Sequence, residues 1–226
     1  MIPIPVTDLI IMNDLCRSEP LAVDLVYAQA AHPDNIFKTA LYRADAPFIL
    51  HRRLADIIVL AARDLHARYG WTLVLKDGLR TIEAQQAVFD TPVVRAHPEW
   101  VSGPDKMFAS PGGGGHPRAM AVDVGVRDNV GDDLDFGTPF DAMPGNDRVN
   151  RAHRNFIGFG GPEYALMVVA RRQKLTQAML DAASDCGETL WPLPHEWWDY
   201  RLVPPVFNAF APLSEGDLPP SHRMMS

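Results

Sequence analysis

Cysteine is nearly absent from this chain of 226 residues: Cys16 and Cys186 are its two thiols, far apart in sequence. Two lone cysteines build no disulfide framework, which points to a reducing compartment and a cytoplasmic protein. Long apolar runs are missing too. No window approaches the ~18 apolar residues of a spanning helix, so no membrane association is expected. The first residues, Met1 to Asp8, lack a basic leader region, and the apolar stretch 9–12 is too short for a signal core. Positive charge is scarce, with 21 Lys and Arg against 28 Asp and Glu and a net charge of −7. No basic cluster relieves that balance, which excludes a nucleic-acid groove. Internal repeats and heptads are absent.

What remains is an ordinary globular composition, 47% hydrophobic and 22% charged, in a chain long enough to bury a core. We expect one domain over 1–226, with an irregular N-terminal segment at 1–21 and a proline-rich tail at 203–226 that wraps the surface or frays. Leu50, Leu54, Ile57, Ile58, Ala61, Leu65 and Tyr69 recur at helical spacing, and Gly70 closes that helix. His51 and His66 fall off the stripe and read as solvated. Residues 71–76 are rich in β-formers, and Thr81 is placed to cap a helix running to Phe89. Arg80 therefore lies between a strand end and a helix start, a common setting for functional side chains. A short strand is expected within 22–28, and Pro162 opens a helix reaching about residue 183. Residues 91–115 lack periodicity and read as a long loop bordering a site. A second irregular stretch, 127–150, carries Asp128, Asp132, Asp133 and Asp135. Their spacing is not that of a calcium-binding loop, so they read as solvated acids.

Two stretches carry chemistry. In the first, Gly112 to Gly115 lead into His116, and Asp123 follows seven residues on. Extended chain would part His116 and Asp123 by roughly 23 Å at about 3.3 Å per residue. Joint ligation of an ion with bonds near 2 Å requires the chain to fold back. Glycines, free to take positive φ, suit such a loop. Along 120–126, Met120, Val122, Val124 and Val126 fall on one strand face and Ala121, Asp123 and Gly125 on the other. Asp123 thus stands among small side chains, with room for an ion and a small substrate. The bland alternative is a flexible glycine linker and a capped strand carboxylate. The second stretch is Pro194-His195-Glu196-Trp197-Trp198-Asp199-Tyr200. Glu196 and Asp199 converge only through a turn, bulge or bend. If they do, Glu196 is placed as a general base and Asp199 as a ligand, with the tryptophans as pocket walls. Otherwise the tryptophans are core and the acids rim.

These stretches resemble the D-alanyl-D-alanine dipeptidases, zinc peptidases that include the vancomycin-resistance dipeptidases. The family pattern Ser-x-His-x-x-Gly-x-Ala-φ-Asp, with φ apolar, is met by Gly114-x-His116-x-x-Ala119-x-Ala121-Val122-Asp123. Its Glu-Trp-Trp-His is met by Glu196-Trp197-Trp198-Asp199. Upstream, Tyr27-Ala28, Asn35-Ile36-Phe37, Asp77-Gly78-Leu79-Arg80 and Gly137-Thr138-Pro139-Phe140-Asp141 match further segments, in order, over about 24–202. The resemblance implies an α+β fold of the D,D-peptidase/hedgehog-like zinc peptidase type. A central antiparallel sheet, holding 71–76, 120–126 and the Glu196 region, would be flanked by the two long helices. It implies His116 and Asp123 as zinc ligands and Glu196 as catalytic base. Arg80 would stabilise the oxyanion, with Tyr27 and Asp141 near the substrate's amino end. One Zn2+ per chain and a small dipeptide substrate follow from it.

The match departs at three places. The third ligand, a histidine in the family, is Asp199 here. Aspartate binds zinc, but a carboxylate in place of imidazole adds a negative charge, weakens Lewis acidity and moves preference toward Mn2+ or Fe2+. His195 and His153 are the nearby imidazoles that would have to substitute. Gly114 replaces a serine, and Ala119 replaces a glycine. Two functions follow. The first is a metal-dependent dipeptidase cutting D-Ala-D-Ala or a similar dipeptide with metal-activated water. The second is a catalytically impaired relative that binds a cell-wall peptide fragment. Endopeptidase or carboxypeptidase activity on longer peptidoglycan chains would call for an exported protein.

Overall fold

Strand signals and helix caps place the elements of the computed structural model, which describes residues 1–102, 106–144 and 147–226. In chain order they are β1 (Leu9–Ile11), β2 (Leu21–Val23), β3 (Ile49–His51), α1 (Arg52–Tyr69), β4 (Thr72–Asp77), α2 (Ile82–Asp90) and α3 (Pro92–Ala96). Then follow β5 (Ala121–Arg127), α4 (Pro162–Asp185), β6 (Leu190–Pro192), β7 (Asp199–Leu202) and α5 (Pro204–Phe207). The expected helices and strands are present within a few residues. Gly70, at φ 69°, ends α1 in the left-handed conformation that glycine adopts without a Cβ penalty. Thr81 caps α2 by accepting from the Ala84 amide.

Five strands form the main sheet in the order β2-β4-β5-β7-β6. All neighbours are antiparallel except the edge pair β2 and β4, which is parallel. The sheet is therefore mixed rather than antiparallel throughout, because a long connection carries the chain from β2 back to the same direction in β4. A separate antiparallel pair joins β1 to β3. The apolar stripe of α1 is buried from Leu54 to Leu65, with Tyr69 half-buried at its end, and α1 packs against α4 and β4. Met120, Val122, Val124 and Val126 enter the same core, as the alternation requires.

Several details differ from the sequence reading. His51 is buried rather than solvated: its Nδ1 accepts the Arg53 amide as the cap of α1, and its ring packs on Phe210. The loop after α2 contains α3, where Thr91 is the N-cap and Pro92 the first helical residue. Five residues are too few for periodicity to show. The part of that loop at 103–105, and positions 145–146 of the second irregular stretch, lie outside the described residues. Residues 1–21 carry β1, and the C-terminal tail is anchored by buried Leu213, Leu218 and Met224. Among the described residues no helix is long and apolar enough to cross a membrane.

Candidate metal centre

Strand register builds the centre. Asp123 on β5 lies opposite Asp77 on β4 and opposite Asp199 on β7. Three buried aspartates thus form one row across three strands, although like charges directly opposed destabilise a sheet. Strict alternation along β4 would send Asp77 into the core after Leu75. A register shift between Leu75 and Asp77 turns it onto the site face instead. The small neighbours of Asp123 have a different use from the one expected. Gly125 makes way for Lys76, whose Cε lies 2.8 Å from where a Cβ at 125 would stand. Ala121 is the cross-strand partner of Arg201.

The glycine loop is fastened rather than a flexible linker. Gly112 and Gly114 both sit at φ 81°. The Gln85 side chain accepts from the Gly112 amide and donates to the Gly113 carbonyl. Buried Arg118 donates to the carbonyls of Gly112, Gly114 and Phe210. The loop delivers His116 with Nδ1 2.8 Å from the Gly78 carbonyl. A carbonyl only accepts, so the proton resides on Nδ1 and Nε2 presents its lone pair. That nitrogen lies 3.6 Å from Asp123 Oδ2 and 3.5 Å from Asp199 Oδ2.

Glu196 and Asp199 converge through a turn entering β7, in which Leu193 N donates to the Asp199 carbonyl. Arg154 secures this turn by donating to the carbonyls of Glu196 and Asp199 at 2.9 and 2.8 Å. The tryptophans are core: Trp197 stacks on Phe136, and Trp198 packs edge-on to Phe140. They do not wall the pocket, because residues on either side of the turn face inward. The cavity, of about 220 Å³, has Val88, Phe89, Met107, Phe108 and Leu193 as its apolar wall.

His116, Asp123, Asp199, Glu196, Arg80 and Asp141 all line that cavity. Tyr27 does not. It is fully buried, donates to Asp141 Oδ2, and lies under the Arg80 guanidinium at 5.5 Å, so it reaches the cavity only through those partners. His195 lies at the cavity's edge with its ring against His153, 5.8 Å between centroids. Among the described residues neither imidazole belongs to a metal-ligating group. The sequence reading assigned no role to Asp77 or Arg201. Asp77 accepts from Arg80 through Nε and Nη2 and from the Tyr42 hydroxyl. Arg201 donates to both oxygens of Asp199.

Five carboxylates and two guanidiniums leave the region strongly acidic, and the titrating groups respond. Burial and the charges of Asp199, Asp77 and Glu196 hold Asp123 well above the carboxylate range. Burial, then Asp199 and Asp141, raise Glu196 to about 8. Burial acts on Asp199 in the same direction, but the Arg201 guanidinium outweighs it and holds that carboxyl well below the usual range.

These residues fit a divalent cation. Asp123 Oδ1 is buried without a hydrogen-bond partner, between acids that repel it. Two overlapping groups, Asp77 with His116 and Asp123, and Asp123 with Glu196 and Asp199, each bring ligand atoms within 4.8 Å of one another. Both oxygens of Asp77 and both of Asp199 are engaged by neighbouring donors. Asp77 approaches His116 on its Nδ1 side at 3.7 Å, whereas Asp199 Oδ2 faces Nε2 at 3.5 Å, which groups Asp199 with His116 and Asp123. One imidazole with carboxylates suits zinc and also harder ions.

A mixed α/β fold with an acidic, histidine-bearing cavity of this kind is compatible with metal-assisted hydrolysis. Residues 18–209 match the D-ala-D-ala dipeptidase family model, and the chain belongs to that family. It is therefore a hydrolase of the peptidase class. The D-alanyl-D-alanine dipeptidase of Escherichia coli (strain K12) is 28% identical over 186 residues, covering 80% of this chain and 79% of that protein. Among solved structures, the Serratia marcescens L-Ala D-Glu endopeptidase ChiX aligns with a TM-score of 0.36 at 16% identity. That alignment covers 68% of this chain and 80% of the other.

Proposed function

We propose that the protein is a metal-dependent dipeptidase that hydrolyses D-Ala-D-Ala or a similarly small dipeptide. The observation that carries this reading is the convergence of His116, Asp123, Asp199 and Glu196 on one cavity of about 220 Å³. That volume suits a small ligand better than a long peptidoglycan strand. His116, Asp123 and Asp199 would hold one ion per chain, Zn2+ first, with Mn2+ or Fe2+ favoured by the added carboxylate. Such an ion supplies Lewis acidity toward a peptide carbonyl and acidifies water.

The remaining roles belong to the chain's own groups. Glu196 takes the proton from the attacking water and returns it to the leaving amine. Its elevated pKa reflects burial and neighbouring acids, and a cation held among them would shift it back toward the carboxylate range. Arg80, held in the cavity wall by Asp77, faces the carbonyl oxygen as charge develops. Asp141 accepts the substrate's ammonium, with Tyr27 fixing its orientation from behind.

A specific observation supports a second reading. Arg201 already engages both oxygens of Asp199, as it would in a relative that has given up catalysis and only binds a cell-wall peptide fragment. The presence of Glu196 and Arg80 in the same cavity weighs against it, since a binder needs no general base. The test is D-alanine release from D-Ala-D-Ala by protein supplied with zinc or manganese, beside Glu196→Ala. Turnover that vanishes in the variant is expected. A folded, metal-loaded protein without turnover would sink the D-Ala-D-Ala assignment and leave another small substrate or the binding role.

A further inference from the structure

The row of aspartates is compensated unevenly. Asp77 has Arg80 and Asp199 has Arg201, while Asp123, between them, has an unpartnered buried oxygen. Arg201 follows Asp199 by two residues on β7, so both side chains leave the same face of the strand. From there the guanidinium reaches back along the strand. Nε donates to Asp199 Oδ1 at 2.8 Å, and Nη2 donates to Oδ2. Among the described residues it approaches no other carboxylate within ion-pair distance. Its place is prepared by small residues. Ala121 is its cross-strand partner, and a Cβ at Gly114 would stand 3.8 Å from its Nη1. The pair is nearly closed to water, with side-chain exposures of 14% for Arg201 and 1% for Asp199.

We infer that Arg201 and Asp199 act as one electrically neutral donor, in which the guanidinium cancels the charge that the carboxylate adds to a metal shell. The inference rests on the reading of His116, Asp123 and Asp199 as metal-holding residues. A carboxylate offers about four acceptor positions, and the arginine uses two. Oδ2 also faces His116 Nε2 at 3.5 Å, so the side that would meet an ion stays open. The centre then has the charge balance of a site whose third ligand is a neutral imidazole, and the Lewis acidity that an unpaired carboxylate would lower is retained. Arginine suits the task because it stays charged under all working conditions and its planar fork matches a carboxylate.

Zinc affinity of the metal-free protein, measured by competition with a chromophoric chelator, separates the outcomes. Arg201→Met removes a cation next to the ion, and zinc should bind at least tenfold more tightly. Arg201→Gln, which keeps a donor but no charge, should follow it. Arg201→Lys, which keeps the charge, should stay within threefold of the parent. Weaker or unchanged binding in both neutral variants would overturn the inference and leave Arg201 a strut for Asp199. Loss of binding in Arg201→Lys together with the neutral variants would do the same. Asp199→Ala tests the underlying reading separately: it should lose at least tenfold in zinc affinity. Binding as tight as the parent's would show that Asp199 is no ligand, whatever Arg201 does.

Discussion

The buried hydroxyl of Tyr27 donates to Asp141, whose backbone sits at φ 57°, in the left-handed region that after glycine is visited most by asparagine and aspartate. Burial raises the Asp141 carboxyl from its ordinary 3.8 to about 6, against the hydrogen bond from Tyr27 and the charge of Arg80. The folded protein therefore holds a proton there that the unfolded chain releases between pH 3.8 and 6. Stability from this group is greatest below 3.8 and is lost as pH rises through 6. The penalty above that is at most about 3 kcal/mol. Asp141→Asn keeps an acceptor for Tyr27, tolerates the backbone conformation and cannot ionise. In melts of metal-free protein it should raise the Tm above pH 6 and leave it unchanged near pH 4. An equal gain at both pH values would remove ionisation as the cause. The same variant should raise KM for a dipeptide more than it lowers kcat.

Arg154→Met tests how the Glu196 turn is held. The guanidinium donates to the carbonyls of Glu196 and Asp199, to Thr176 and to the Tyr200 hydroxyl, and stacks 4.4 Å from the Tyr200 ring. Its removal leaves the Glu196 carbonyl without a donor, at about 1–3 kcal/mol before relaxation, while the Asp199 carbonyl keeps the Leu193 amide and Thr176 and Tyr200 keep each other. We expect a loss of about 2–4 kcal/mol in urea denaturation, with turnover falling more than the loss of folded protein explains. Full turnover in the folded fraction would show that the turn holds its shape without the arginine.

How far the sequence revealed these parts depended on whether local pattern or long-range pairing set the position. Helix α1 was legible from its stripe and from Gly70, and β5 from strict alternation. His116, Asp123, Glu196 and Asp199 were legible as two motifs, and the structure brings them into one cavity. Asp77 was hidden because its side depends on a register shift against β5, which no local periodicity records. Arg201 did carry a signal, the period-two spacing from Asp199. Arg118 carried none, since its partners are backbone carbonyls of Gly112, Gly114 and Phe210. The paired tryptophans misled because a turn puts the acids and the rings on opposite sides.

Arg118→Met should loosen the glycine loop without touching a metal-holding side chain. Three carbonyls lose a charged donor in a site that is nearly closed to water. The expected cost is about 2–4 kcal/mol in denaturant unfolding. Amide exchange should quicken at Gly113 to Arg118 more than in α1. Protection in the loop equal to the parent's would mean that Gln85 alone suffices to hold it.

Ala119 turns the chain from the His116–Arg118 helical turn into β5, at φ 53° and ψ 24°. A Cβ in this left-handed conformation costs about 1–2 kcal/mol, which glycine avoids. Glycine gives back about 0.5–1 kcal/mol through the greater freedom of its unfolded chain. The family pattern has glycine at this position, and the geometry supplies the reason. Ala119→Gly should therefore raise stability by about 0.5 kcal/mol, small but measurable as a higher urea midpoint with an unchanged slope. The methyl is fully buried, so a midpoint that falls would show that its packing outweighs the backbone strain. Because Ala119 N donates to the His116 carbonyl and Ala119 O accepts from the His51 amide, the variant should leave zinc affinity unaltered as long as both bonds persist.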